Sequence, residues 1–445
     1  MSNKKYSVTI SKKINKFNKT IRVDSDKSIS IRSFLIGSIS NDISRIRNVL
    51  ESDDVLSAVN CLRKLGIKIQ KQKNKDYYVY GKGIGSLSIK RNGTLNCGNS
   101  GTLARLLIGI LSTTPNIQVI VKGDKSLNKR NMKKLIDLAN SFGAEFYPKN
   151  KFNLPLKIIS SEMPIGINYT AGISAQLKSA CILAGLNSYG VTNIFEKKNK
   201  SRNHTENILL NSPEVIRVKK DSIKLFGKKS LKPLNLSIPG DPSSAAFFCA
   251  LALLTKDSYL KIKNVGLNPR RIGFYKLLKK SGAKINFKNI RKKNNEIIGD
   301  IHVESSKIKP IKSNSKIYPS TADEYLILFV ISALTPGKHI FNGIADLANK
   351  ESSRAYEMKK ILNKLGVKCK LMKDKMTILG TKNIKNKRIK IPNLKDHRIC
   401  MSVVILSLCS SCNVNIQGFE TVETSSPSFL KLIKYIGGKF SVKKN

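Results

Sequence analysis

Apolar and polar positions return along this chain in one recurring arrangement. It reads LRKLGIKI at residues 62–69, IDLANSFGAEF at 136–146, YKLLKKSGAKI at 275–285, ILNKLGVKC at 361–369 and LIKYIGGKF at 432–440. Each copy has the spacing of an amphipathic helix, a glycine placed to end it in the left-handed conformation, and a short alternating strand directly after. The copies recur roughly every seventy to eighty-five residues, the mark of an internally repeated fold. A sixth is expected between the second and third, where HTENILLNSPEVIRV at 204–218 keeps the helix and strand but has no glycine. Other helices are expected at 101–111, 174–186 and 243–254, and the copies are expected to build around a shared core of helices. Three helix–strand units thus precede, and three follow, a Pro- and Gly-punctuated break at SIPGDP, residues 237–242. The pattern predicts two similar α/β domains of three copies each, one formed by residues 1–23 with 241–445 and the other by residues 24–240.

The chain has 445 residues, 40% of them hydrophobic, enough to bury two cores. No apolar run is long enough for a membrane span, and the N-terminus lacks the apolar centre of a signal peptide, so the expected location is the cytoplasm. Eight scattered cysteines suit reduced core thiols better than a disulfide framework. The CxxC formed by Cys409 and Cys412 has no second pair and no nearby histidine, so no metal site is expected. A formal net charge of +52 makes polyanion or nucleic-acid binding a reading to weigh. The lysines are spread along the chain, however. Tracts such as KKINK, KKNK and RKKNN fall in expected loops, and no nucleic-acid-binding motif accompanies them. The charge is better read as a solvated surface plus attraction for a small anionic substrate.

The chemistry gathers first at DSDKSISIR, residues 24–32, between a strand-like run at 20–23 and a helix-like run at 29–39. A strand-to-helix junction offers backbone N–H groups and a helix dipole to an anion, and Lys27, Ser28, Ser30 and Arg32 add donors. Further along stand GNSGTLAR at 98–105, Lys129 with Arg130, SAQLK at 174–178, RNHTE at 202–206 and GDPSSAAF at 240–247. The second half adds DEY at 323–325, KESSR at 350–354 and DHR at 396–398. Taken in this order, the motifs resemble those of the 5-enolpyruvylshikimate-3-phosphate synthase family, nearly end to end.

The resemblance implies an inside-out α/β barrel fold in two domains, each of three βαβαββ-type repeats. It implies transfer of the enolpyruvyl group of phosphoenolpyruvate to the 5-hydroxyl of shikimate 3-phosphate, by a monomer that needs no cofactor or metal and binds no specific nucleic acid or membrane. Lys27, Ser28, Arg32, Ser174, Ala175, Gln176, Ser201, Arg202, Asp323 and Lys350 match the shikimate 3-phosphate ligands. Lys27, Asn99, Gly101, Arg130, Gln176, Arg354 and Arg398 match those of phosphoenolpyruvate. Asp323 matches the base for the hydroxyl, with Glu351 and Lys27 as proton carriers. The resemblance also implies inhibition by glyphosate, with Gly101 leaving room for it. The chain departs from the family pattern at Asn131, at Thr424, and at Ser353, where an acid commonly stands before the arginine. A UDP-amino-sugar enolpyruvyl transferase would share the fold, but its KNA-type start and catalytic loop cysteine are absent here.

Overall fold

The computed structural model describes residues 5–196, 200–381, 384, 388–410 and 412–444. The chain divides into two compact units: residues 1–24, 239–292 and 297–445 form the first, and residues 25–238 with 293–296 the second. Among the described residues there are six four-stranded sheets, three in each unit. All are wired alike, as the second unit's middle copy shows. Strand Gly93–Asn96 runs parallel to Gln118–Lys122, which pairs antiparallel with Leu156–Ile159, and that strand pairs antiparallel with Glu145–Tyr147. One helix joins the two parallel strands and a second leads into the final hairpin, so each copy is a βαβαββ repeat.

Two copies are completed from the far end of their own unit. Strand Asn235–Ser237 adds in parallel to Asn41–Arg47. Strand Tyr6–Ile10 lies between Asn413–Ile416 and Ser441–Lys444. The strand-like run expected at 20–23 is strand Asn18–Ile21, parallel to Tyr259–Gly266.

The helices, in chain order, are α1 (Lys27–Ser38), α2 (Asp53–Lys64), α3 (Gly101–Thr113), α4 (Lys133–Asn140), α5 (Ala175–Gly185), α6 (His204–Leu209), α7 (Pro242–Leu254), α8 (Gly273–Lys280), α9 (Tyr318–Thr321), α10 (Tyr325–Ala333), α11 (Arg354–Lys364), α12 (His397–Cys409) and α13 (Phe429–Ile436). They fall into two kinds. Helices α1, α3 and α5 of the second unit, and α7, α10 and α12 of the first, are buried along almost their whole length and pack on one another. Helices such as α2, α4, α8, α11 and α13 bury one face only, as their mixed sequences dictate. Close packing of the inner helices rests partly on Gly109. A Cβ there would stand 2.6 Å from the Ala180 carbonyl oxygen, so only glycine allows α3 to approach α5 this closely.

The helix-stop glycines Gly66, Gly143, Gly282, Gly366 and Gly437 have φ between +83° and +110°, the left-handed geometry that the repeated phrase demands. The glycine-free copy ends differently. Leu210, Asn211 and Ser212 donate backward to the carbonyls of Glu206, Ile208 and Leu209, and strand Ile216–Val218 follows without a left-handed residue.

RKKNN at 291–295 is not a loop. Arg291 to Lys293 end strand Lys284–Lys293, and Asn294 and Asn295, at φ +50° and +60°, make the two-residue turn into Glu296–Glu304. Asparagine is among the few residues that accept positive φ at both turn positions, and the high lysine content hid the strand. Of KKNK, only Lys200 lies within the described residues. Of the eight cysteines, all but Cys369 are buried. No helix among the described residues is long and apolar enough to cross a membrane.

Candidate active site

Within each unit, several of the expected site residues stand at or next to the start of an inner helix. In the second unit, the N-caps Asp26, Ser100 and Ser174 each accept a backbone N–H of the first turn, from Ile29 at 2.8 Å, Leu103 at 3.3 Å and Leu177 at 3.4 Å. Lys27, Gly101 and Ala175 are therefore the first residues of their helices, where backbone donors and helix dipoles favour anions. In the first unit, Asp241 and Asp396 cap α7 and α12 in the same way, through Ser243 N at 2.7 Å and Arg398 N at 3.0 Å. Asp323 immediately precedes Glu324, which stands before α10.

Around α1, the Lys27 ammonium lies 2.8 Å from Asp54 Oδ2 on α2. Arg32 is buried, and its fork is fully directed. Nε donates to Thr205 Oγ1 at 2.9 Å, Nη2 to Ser179 Oγ at 3.0 Å and Nη1 to the Ser28 carbonyl at 3.0 Å. Gln176 is fixed between α3 and α5: its amide N–H donates to Thr102 Oγ1 at 2.9 Å, and its oxygen accepts from Arg105 Nη1 at 3.0 Å. Asn99 accepts from Arg130 Nη2 at 3.3 Å and donates to Asp124 Oδ2 at 2.7 Å, which ties the Arg130 fork to the GNSGT loop. Ser201 is buried and Arg202 half-buried, directly before α6.

The first unit's groups form an ion-pair network. Arg354 is fully buried, with Nε 2.9 Å from Asp396 Oδ2, Nη2 on Glu351 Oε2, and Nη1 3.8 Å from Asp323 Oδ1. Burial opposes the Arg354 charge, but Asp396 and Glu351 outweigh it, so the guanidinium is held firmly protonated. Arg398 Nη2 lies 3.6 Å from Asp323 Oδ1, while Nη1 donates to the Asp323 carbonyl at 3.1 Å. Lys350 pairs with Asp346 Oδ2 at 2.6 Å, and Tyr318 donates to the same oxygen at 2.8 Å. Asp323 thus presents a partly exposed carboxylate to two guanidinium groups, one of them locked in place by other acids.

Several members of these networks were not among the expected site residues. Asp396 stands in the DHR motif, and it supplies Arg354 with the carboxylate that Ser353 lacks. Asp54 was visible only as part of an acidic first turn on α2. Lys178 belongs to SAQLK and is wholly buried. Its ammonium lies 2.8 Å from Glu196 and 2.6 Å from Glu206, and 3.5 Å from the Ser201 carbonyl. Arg105 ends GNSGTLAR, and its position in that motif was the available signal. Arg271, 3.2 Å from Asp241 and 2.9 Å from Ser243 Oγ, had no such signal.

Comparison with known proteins points to one family. The family model for EPSP synthase (3-phosphoshikimate 1-carboxyvinyltransferase) matches residues 11–433. A 3-phosphoshikimate 1-carboxyvinyltransferase of Paramagnetospirillum magneticum is 36% identical over 425 residues, 94% of this chain and 95% of the relative. That of Zymomonas mobilis is 35% identical over 442 residues, 97% of each chain. The solved EPSP synthase of Acinetobacter baumannii superposes with a TM-score of 0.86 at 32% identity, covering 98% of this chain and all of that one. The enolpyruvyl transferase NikO of Streptomyces tendae shares the fold, with a TM-score of 0.76 at 11% identity over 99% of this chain and all of that one.

Proposed function

Since the chain belongs to the EPSP synthase family, the 3-phosphoshikimate 1-carboxyvinyltransferases, we propose that the site groups described above divide the work of one reaction. The reaction is transfer of the enolpyruvyl group of phosphoenolpyruvate to the 5-hydroxyl of shikimate 3-phosphate, with release of phosphate, in the shikimate pathway. Both substrates are small polyanions, and the observation that carries the assignment is the set of oriented cationic and hydroxyl donors among these groups.

In this reading the second unit supplies most of the binding groups. Lys27, Ser28, Arg32, Ser174, Ala175 through its backbone, Gln176, Ser201 and Arg202 take shikimate 3-phosphate. Asn99, Gly101, Arg130 and Gln176 serve phosphoenolpyruvate, with Lys27 reaching both. The first unit supplies Arg354 and Arg398 for the carboxylate and phosphate of phosphoenolpyruvate, a planar recognition that guanidinium suits better than ammonium. Lys350 contacts shikimate 3-phosphate, and Asp323 takes the proton of its 5-hydroxyl. Glu351, hydrogen-bonded to Arg354, and Lys27 carry protons to and from the methylene carbon as the tetrahedral adduct forms and collapses. We propose further that the protein acts as a monomer in the cytoplasm. Its basic surface then attracts the two substrates rather than a nucleic acid, and its scattered, buried cysteines fit a reducing compartment.

Gly101 tests the phosphoenolpyruvate assignment. A Cβ built there would stand 2.6 Å from Arg130 Nη1 and 2.8 Å from Arg105 Nη1, so Gly101→Ala displaces two guanidinium groups instead of filling empty space. The ends of these flexible side chains can shift at little cost in stability, but they lose their aim at the ligand. The Michaelis constant for phosphoenolpyruvate is expected to rise severalfold, and the inhibition constant of the longer glyphosate by about tenfold or more, which corresponds to about 1.4 kcal/mol or more of binding free energy. Steady-state kinetics with glyphosate as a competitor reads both numbers. Unchanged values for the two ligands would remove Gly101 and Arg130 from the site.

A further inference from the structure

The short helix α6 has six residues, all buried, and isolated helices of that length are not stable by themselves. Its position is set by polar ties on several sides. Thr205 accepts from Arg32, and Glu206 pairs with Lys178. His204 Nδ1 lies 2.7 Å from Glu296 Oε1, and Asn207 donates to the same oxygen at 2.9 Å. Asn295 donates to the Asn207 carbonyl at 3.2 Å, and Asn294 to that of Asn235 at 3.1 Å. These last ties come from residues 293–296, which belong to the same unit as α6. His204 and Glu296 are only 3% and 6% exposed, so their interaction is little weakened by water. Ser201 and Arg202 lie just ahead of His204, and the Ser201 carbonyl is also within reach of Lys178.

We propose that Glu296 is a positioning residue for shikimate 3-phosphate: through His204 and Asn207 it fixes the start of α6 and thereby aims Ser201 and Arg202 at the substrate. The proposal rests on the assignment of those two residues to shikimate 3-phosphate. Glu296 touches no substrate itself. Its effect falls on the binding of one substrate, because the ties converge on the segment that carries that substrate's ligands, whereas Asn99 and Arg130 are tied to each other and Asn99 to Asp124.

The test is Glu296→Gln, which keeps the size of the side chain and removes its charge, alongside Asn207→Ala. Phosphate release is measured while each substrate is varied in turn, and a thermal melt confirms folding. Glu296→Gln is expected to raise the Michaelis constant for shikimate 3-phosphate about tenfold, the effect of losing a buried charge-assisted hydrogen bond. The constant for phosphoenolpyruvate and kcat should change little. Asn207→Ala is expected to shift the same constant in the same direction by less. Wild-type constants in a folded variant, equal shifts for both substrates, or a fall in kcat alone would overturn the proposal. If Glu296→Gln does not fold, Asn207→Ala decides by the same criteria. A wild-type protein that releases no phosphate with both substrates would overturn the functional assignment, a result distinct from a variant that behaves like an active wild type.

Discussion

Asp323→Asn is expected to lower kcat by roughly a hundredfold or more, the usual loss on removing a general base, and to leave the fold intact. Asparagine keeps the shape of the side chain but cannot take the proton of the 5-hydroxyl. The surrounding cations do not depend on the lost charge for their placement. Arg354 keeps Asp396 and Glu351, and Arg398 keeps its bond to the carbonyl of residue 323. The Michaelis constants should therefore move much less than kcat, the pattern of an interaction made in the transition state. Saturation kinetics together with a thermal melt separates these effects. Turnover near the wild-type value in a folded variant would show that another group takes the proton.

The second large effect is expected at Asp396. Its carboxylate is completely buried against the equally buried Arg354, accepts from Ser352 Oγ at 2.9 Å and caps α12. Asp396→Ala leaves a guanidinium in the interior with one of its two close acids gone. Breaking a buried pair in this way costs about 3–5 kcal/mol, and the lost cap adds about 1 kcal/mol. Glu351 remains on Nη2 and should keep the loss toward the low end. The urea unfolding midpoint should drop sharply, and the Michaelis constant for phosphoenolpyruvate should rise in whatever folded protein is recovered. Asp396→Asn keeps an acceptor for the cap and should be milder on stability. A midpoint unchanged by Asp396→Ala would mean that Arg354 finds another arrangement and that Asp396 does not hold it.

What could be read from the sequence was local. The helix–glycine–strand phrase needs only contiguous residues, and it located the repeat in its degenerate copy as well as in the five regular ones. Helices α3, α5 and α7 were legible as helical stretches, and the motifs GNSGT, SAQLK and GDPSS stand at their starts. The remaining features depend on residues distant in sequence. Strand Tyr6–Ile10 pairs with strands beyond residue 400, and Glu296 meets His204 across 92 positions. A lysine such as Lys178 looks like any of the chain's many lysines until its two glutamates are found around it. Asp396 was hidden differently. Its motif was plain, but an aspartate before a helix reads as a cap, and its second partner, Arg354, lies 42 residues earlier. The strong basic bias obscured one strand outright, because RKKNN has the composition of a solvated loop and the geometry of a hairpin end.

The most direct test of the central claim is phosphate release from phosphoenolpyruvate by the purified protein, measured with and without shikimate 3-phosphate. Release is expected only when shikimate 3-phosphate is present, with one enolpyruvyl product detected by mass for each phosphate formed. No release with both substrates, or equal release when shikimate 3-phosphate is left out or a UDP-amino sugar replaces it, would contradict the account.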